Sequence, residues 1–124
     1  MAAPAGQAGY AALYSDSTAH ELRLSNNNGS YLRVPQVIAS GTSTLTANAT
    51  LGAVTSQAAI TTTATGALTT DAIEWSYASA PGAGDSLCIL SPYVTAGNVN
   101  FVRANPTAAA QNVSAIVVNW RMVR

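Results

Sequence analysis

The stretch Ala115-Ile116-Val117-Val118-Asn119-Trp120-Arg121-Met122-Val123 sets Ile116, Val118, Trp120 and Met122 on one face of an extended chain and Asn119 and Arg121 on the other. That period of two is the pattern of a strand with one face in a core. Working outward from it, Ile73, Trp75 and Tyr77 alternate with Ala72, Glu74 and Ser76 in the same way. Between these segments, Leu87 to Val94 reads as a strand interrupted at Pro92, with Cys88 inside it. The turn Thr95-Ala96-Gly97-Asn98 then leads into Val99-Asn100-Phe101-Val102-Arg103, and Asn105-Pro106-Thr107 breaks that strand. Ala80-Pro81-Gly82-Ala83-Gly84-Asp85 reads as a turn.

Residues 39–70 are almost wholly Ala, Thr, Ser, Gly and a few aliphatics. The many threonines are stiff at χ1 and favour extended backbone, which predicts thin strands anchored by Leu45, Leu51, Val54 and Ile60. Earlier still, Glu21-Leu22-Arg23-Leu24 and Ser30-Tyr31-Leu32-Arg33-Val34 flank the turn cluster Ser25-Asn26-Asn27-Asn28-Gly29. Asn-Gly supplies the positive φ of a tight turn, so these residues predict a hairpin, with Pro35 ending its second strand. Met1 to Ala12 lacks any fixing pattern and reads as an extended arm. Short strands between Gly, Pro and Asn turns predict an all-β fold, an antiparallel β-sandwich or jelly-roll-like domain over 39–124, preceded by an N-terminal arm and hairpin over 1–38.

Charged residues are 8% of the 124, against roughly 25% in an ordinary soluble domain. The five basic residues are all arginine and the formal net charge is zero. Such a balance lacks the electrostatic attraction on which binding to nucleic acid or an anionic membrane relies, so neither partner is expected. It also leaves the surface poorly protected against association. The first thirty residues lack the basic start and apolar run of a signal peptide, which predicts assembly in the cytoplasm. A lone Cys88 cannot form an intramolecular disulfide. The sequons at Asn28, Asn48 and Asn112 are expected by chance in a chain this rich in Asn, Ser and Thr.

Groups able to attack, trade protons or hold a metal are few: His20, Cys88 and the carboxylates Asp16, Glu21, Asp71, Glu74 and Asp85. Ser15, Asp16, Ser17 and His20 make the nearest approach to a triad, but no Gly-x-Ser-x-Gly elbow presents a serine beside an oxyanion hole. Gly82-Ala83-Gly84-Asp85-Ser86 imitates a phosphate-cradling loop without the lysine and helix such a loop needs. One His and one Cys cannot supply a zinc set, and the acidic spacing does not fit a calcium loop. No catalytic, cofactor-binding or metal residue is therefore assigned, and no enzymatic activity is expected. Trp75, Tyr77, Tyr93, Phe101 and Trp120 could form a carbohydrate platform, but in-strand alternation places Trp75 and Trp120 in the core.

The segment Val94-Thr95-Ala96-Gly97-Asn98-Val99-Asn100-Phe101-Val102-Arg103-Ala104-Asn105-Pro106-Thr107, with Val117 to Val123 after it, resembles the last strands of small bacteriophage virion proteins. Ala12-Leu13-Tyr14-Ser15-Asp16-Ser17 and Glu21-Leu22-Arg23-Leu24 are similar to a short hairpin of phage head-fibre and tail-fibre chains. The resemblance covers about half of the chain and brings no catalytic residue with it. It implies a virion component, a capsid decoration or cement protein on the outer surface of the head, homotrimeric and bound to the major capsid protein. The alternative it carries is a fibre module that recognises a host receptor or glycan. Far-UV circular dichroism checks the fold class: a strand-dominated spectrum is expected, and helix above about a quarter of the residues would contradict it.

Overall fold

The computed structural model describes residues 11–16, 21–26 and 32–124, and the chain divides into two compact units, Met1–Gln36 and Val37–Arg124. The first carries a three-stranded antiparallel meander of β1 (Ala11–Asp16), β2 (Glu21–Asn26) and β3 (Leu32–Arg33). The expected hairpin is its second half, with Leu24 opposite Leu32 and Arg23 opposite Arg33. The turn Asn27-Asn28-Gly29 and residues 1–10 of the arm lie outside the described residues. Ala11 and Ala12, assigned to the arm, belong instead to β1, opposite Asn26 and Ser25. Backbone pairing recruits them without a side-chain pattern, which is why no alternation marks them.

The second unit contains β4 (Val37–Leu45), β5 (Asn48–Leu51), β6 (Thr55–Ser56), β7 (Ile60–Thr63), β8 (Ala72–Tyr77), a single helical turn α1 (Ala83–Ser86), β9 (Ile89–Thr95), β10 (Asn98–Asn105), β11 (Gln111–Val113) and β12 (Ile116–Val123). All pairing is antiparallel. One sheet has the order β4-β12-β8. A second is built around β10, which pairs β9 along one side and β7 then β6 along the other. β5 and β11 form a separate two-stranded ribbon. The fold is all-β, as the alternation requires.

The inward rows of the two larger sheets share one core. β12 contributes Ile116, Val118, Trp120 and Met122, β10 contributes Val99 and Phe101, and β4 contributes Leu45. Asn119 and Arg121 point the other way and are exposed, as their spacing predicts. Trp120 is 5% exposed and its indole N–H donates to the Ser43 hydroxyl at 3.0 Å, which bonds Thr62 of the other sheet at 2.6 Å. Gly41, directly opposite Trp120, makes room for that ring: a Cβ there would lie 2.8 Å from Cζ2. Ile73, Trp75 and Tyr77 pack against the core but remain half-buried. Trp75 meets Tyr77 and Phe101 edge-on, with ring centroids at 5.3 and 6.3 Å.

Four local expectations are corrected. Val54 is not a core anchor. It is 76% exposed with φ of 50°, in the turn before β6, and it holds the turn through its N–H to the Thr107 carbonyl. Hydrophobicity gave no sign that the backbone there turns left-handed. Pro92 does not interrupt β9; it sits in register opposite Phe101 in a strand paired only on the β10 side, where a missing donor is tolerated. Cys88 lies in the bend before β9 and not within a strand, because the α1 turn displaces the strand start to Ile89. Within Ala80–Asp85, the expected turn closes as α1, which fits against β11 only because residue 84 is glycine. A Cβ there would stand 2.0 Å from the Asn112 carbonyl oxygen. Leu45 and Leu51 are buried, and Ile60 packs against the core.

Truncation of a buried aromatic loses its transfer free energy and leaves a cavity, and Trp120 also ties the Ser43–Thr62 bridge. Trp120→Ala is expected to cost about 3–5 kcal/mol of unfolding free energy, measured by urea denaturation. A change under about 0.5 kcal/mol would contradict its place in the core.

Candidate functional site

The residues that invited a catalytic reading do not assemble into one. Ser15 is exposed on β1, Asp16 lies opposite Glu21 in the β1–β2 register, and Ser17 and His20 lie outside the described residues. Cys88 is partly buried, and burial is the main cause pushing its thiol above the ordinary value, opposite to what a nucleophile needs. Burial likewise raises Tyr77, assisted by the Asp85 charge. No group of three or more His, Cys, Asp or Glu side chains able to hold a metal occurs among the described residues.

The carboxylates of the second unit are instead consumed in ion pairs. Asp85, 1% exposed, pairs with Arg103, 3% exposed. Arg103 further donates to the carbonyls of Thr46 and Ser114 and, at 2.9 Å, to the Gln57 side-chain oxygen. Asp85 accepts in addition from the Ser114 N–H at 3.2 Å. Asp71 receives a fork from Arg124, Nε to Oδ1 at 2.8 Å and Nη2 to Oδ2 at 3.0 Å, and caps the Leu68 N–H at 2.8 Å. Glu74 pairs with Arg121 across the β8–β12 register, with both side chains more than half exposed. Sequence reading passed over the Asp85–Arg103 pair, because Arg103 sits near a strand end and Asp85 in a Gly-rich turn, positions that usually face water.

What remains as a surface feature is the outer face of β4-β12-β8. A shallow depression of about 570 Å³ runs across its three strands between two cross-strand rows, Ser40–Arg121–Glu74 and Thr42–Asn119–Ser76. Its floor is the Gly41–Trp120–Trp75 row, and the alternation of the strands turns those two indoles toward the core. Ser40, Thr42, Ser76 and Asn119 make no side-chain hydrogen bond among the described residues, so their hydroxyl and amide groups are available to a partner. The aromatic side chains form no common platform: Trp120 and Phe101 are interior, and Tyr93, on the other sheet, is 45% exposed. No helix among the described residues is long and apolar enough to cross a membrane.

No family model, curated protein or solved structure matches the chain.

The Asp71–Arg124 fork gives a pH dependence of known sign. The hydrogen bond from Arg124 is the largest influence on Asp71 and holds its carboxyl below the ordinary 3.8. The stabilisation is therefore complete above that value and is lost as pH falls through the lowered folded value. Arg124→Ala is expected to destabilise by about 1 kcal/mol at neutral pH, and the gap to wild type should close in thermal melts as pH drops below 3.8. A gap that stays constant to the most acidic point would show that the fork contributes nothing.

Proposed function

We propose that the chain is a non-enzymatic structural protein of a bacteriophage virion, a capsid decoration or cement protein that binds the major capsid protein on the outside of the head and stabilises the shell. A homotrimeric state follows from the resemblance to decoration proteins at threefold positions. In this reading the module is a two-layered β-sandwich whose acids are each paired with an arginine and whose outer faces are left for neighbours.

The observation that carries the proposal is the treatment of charge. All three carboxylates of the second unit, Asp71, Glu74 and Asp85, are paired with Arg124, Arg121 and Arg103. Each acid then carries its counter-ion, so the cost of burying an unpaired ion is avoided when that surface is covered.

A second reading has its own support. The unbonded hydroxyl and amide groups around the depression on β4-β12-β8 are those that bind neutral polyhydroxylated ligands, which favours a head-fibre or tail-fibre module recognising a host glycan.

Purified protein mixed with phage heads that lack their decoration is expected to sediment with them and to raise the temperature at which they disassemble. Failure to bind heads, together with retention on host surface polysaccharide that Asn119→Ala abolishes, would replace the cement reading with the fibre one.

A further inference from the structure

We infer that the free edge of β8 is a self-association edge, which pairs antiparallel with β8 of a second copy about a twofold axis at Trp75 and joins the two β4-β12-β8 sheets into one. This stands apart from the virion reading and uses only the second unit's own geometry; with a homotrimer it gives particles of six chains, two trimers joined through β8 edges.

β8 is hydrogen-bonded to β12 alone, and no backbone or side-chain hydrogen bond from elsewhere among the described residues reaches the backbone of Ala72–Tyr77. A six-residue strand therefore presents unpaired N–H and C=O groups along one side. Folded proteins usually blunt such an edge with proline, a bulge, lysine or a covering element. Of the other edges of the two larger sheets, the nine-residue β4 is bulged near its start, where its register with β12 shifts between Met122 and Val123. β9 carries Pro92 at mid-strand, and β7 is four residues long and tied to β4 through the Ser43–Thr62 hydroxyl bond. β8 has no proline or lysine, and its register with β12 has no bulge. Its one charge, Glu74, lies on the sheet face and is already paired with Arg121.

The inward row supplies the second argument. Val118, Trp120 and Met122 of β12 are 0–5% exposed, whereas Ile73, Trp75 and Tyr77, one strand further out on the same face, are all only half-buried. They stand on the edge strand itself, so a strand added there buries apolar surface as well as satisfying the ladder.

The sequence of β8 then selects the occupant and the register. A twofold axis normal to the sheet keeps each face on its own side, so opposite residues must have the same parity. Two such registers pair five residues of Ala72–Tyr77. One is centred on Glu74 and sets the two carboxylates against each other, which is unfavourable. The other is centred on Trp75: it places Ile73 opposite the partner's Tyr77, Trp75 opposite the partner's Trp75, and Glu74 opposite the partner's Ser76. This register joins apolar with apolar and separates the like charges.

Ser76 is exposed and its side chain makes no hydrogen bond among the described residues, so it can be changed without disturbing the monomer. Ser76→Glu sets two Glu–Glu pairs across the axis, and Ser76→Lys sets two Lys–Glu pairs. Sedimentation equilibrium of the full chain, with circular dichroism melts to confirm equal folding, is the test. The wild type is expected to associate in an even multiple, with a dissociation constant raised about tenfold by Ser76→Glu and not raised by Ser76→Lys. A wild type that stays at the mass of an odd-numbered particle at all concentrations would overturn the inference. So would Glu and Lys variants that shift the equilibrium equally, or an extended foreign peptide occupying the edge while the protein itself does not pair.

Discussion

A buried guanidinium organises the second unit. Arg103 on β10 reaches α1 through Asp85, the β4–β5 connection through the Thr46 carbonyl, the β11–β12 connection through the Ser114 carbonyl, and the segment after β6 through Gln57. Four loops that share little apolar surface are thereby referred to one strand. Losing either partner of such a pair leaves a buried charge and costs about 3–5 kcal/mol. The pair therefore fixes which arrangement the loops adopt more than it adds to net stability, since replacing both partners with packed apolar groups is often neutral.

Polar side chains recur along the same strand for the same reason. Asn105 donates to the carbonyls of Leu51, Gly52 and Ala109 and accepts from Thr107, so one amide closes the loop after β10 and clamps the end of β5. Asn100 bonds the hydroxyls of Thr61 on β7 and Thr95 on β9 and the carbonyl of Tyr93. The buried side chains of Asn100, Arg103 and Asn105 are thus satisfied, as burial requires. Apolar packing from Phe101, Val118, Trp120 and Met122 supplies the driving force, and these networks select one geometry from those the packing allows.

Pairing the charges has an outward consequence. Asp85–Arg103 is withdrawn from the surface and Glu74–Arg121 stays on it as a neutral pair, so the rest of the outer face of β4-β12-β8 is hydroxyl and amide groups, and a neighbour that covers it buries no unpaired ion. A charge-poor composition, a hydroxyl-lined depression on one sheet and an unprotected strand edge beside it are thus connected: all three lower the cost of bringing a second surface against β4-β12-β8.

The sequence by itself determined the strands whose side chains alternate strongly. β8 and β12, the inward set Ile116, Val118, Trp120 and Met122, and the presence of the hairpin, though not its Leu24–Leu32 register, were legible, because a period of two is a local property of a half-buried strand. Composition likewise announced a surface with little charge. What only the tertiary structure decided were the features set by partners distant in sequence. Val54 points to solvent because its turn bonds Thr107, and α1 forms where Gly84 meets the Asn112 backbone. Asp85 and Arg103, 18 residues apart, become a buried pair, and Thr46 enters their network from 57 residues away. Periodicity reports which face a residue occupies. It cannot report which distant group will stand opposite, and for a buried charge that opposite group decides whether the position is possible at all.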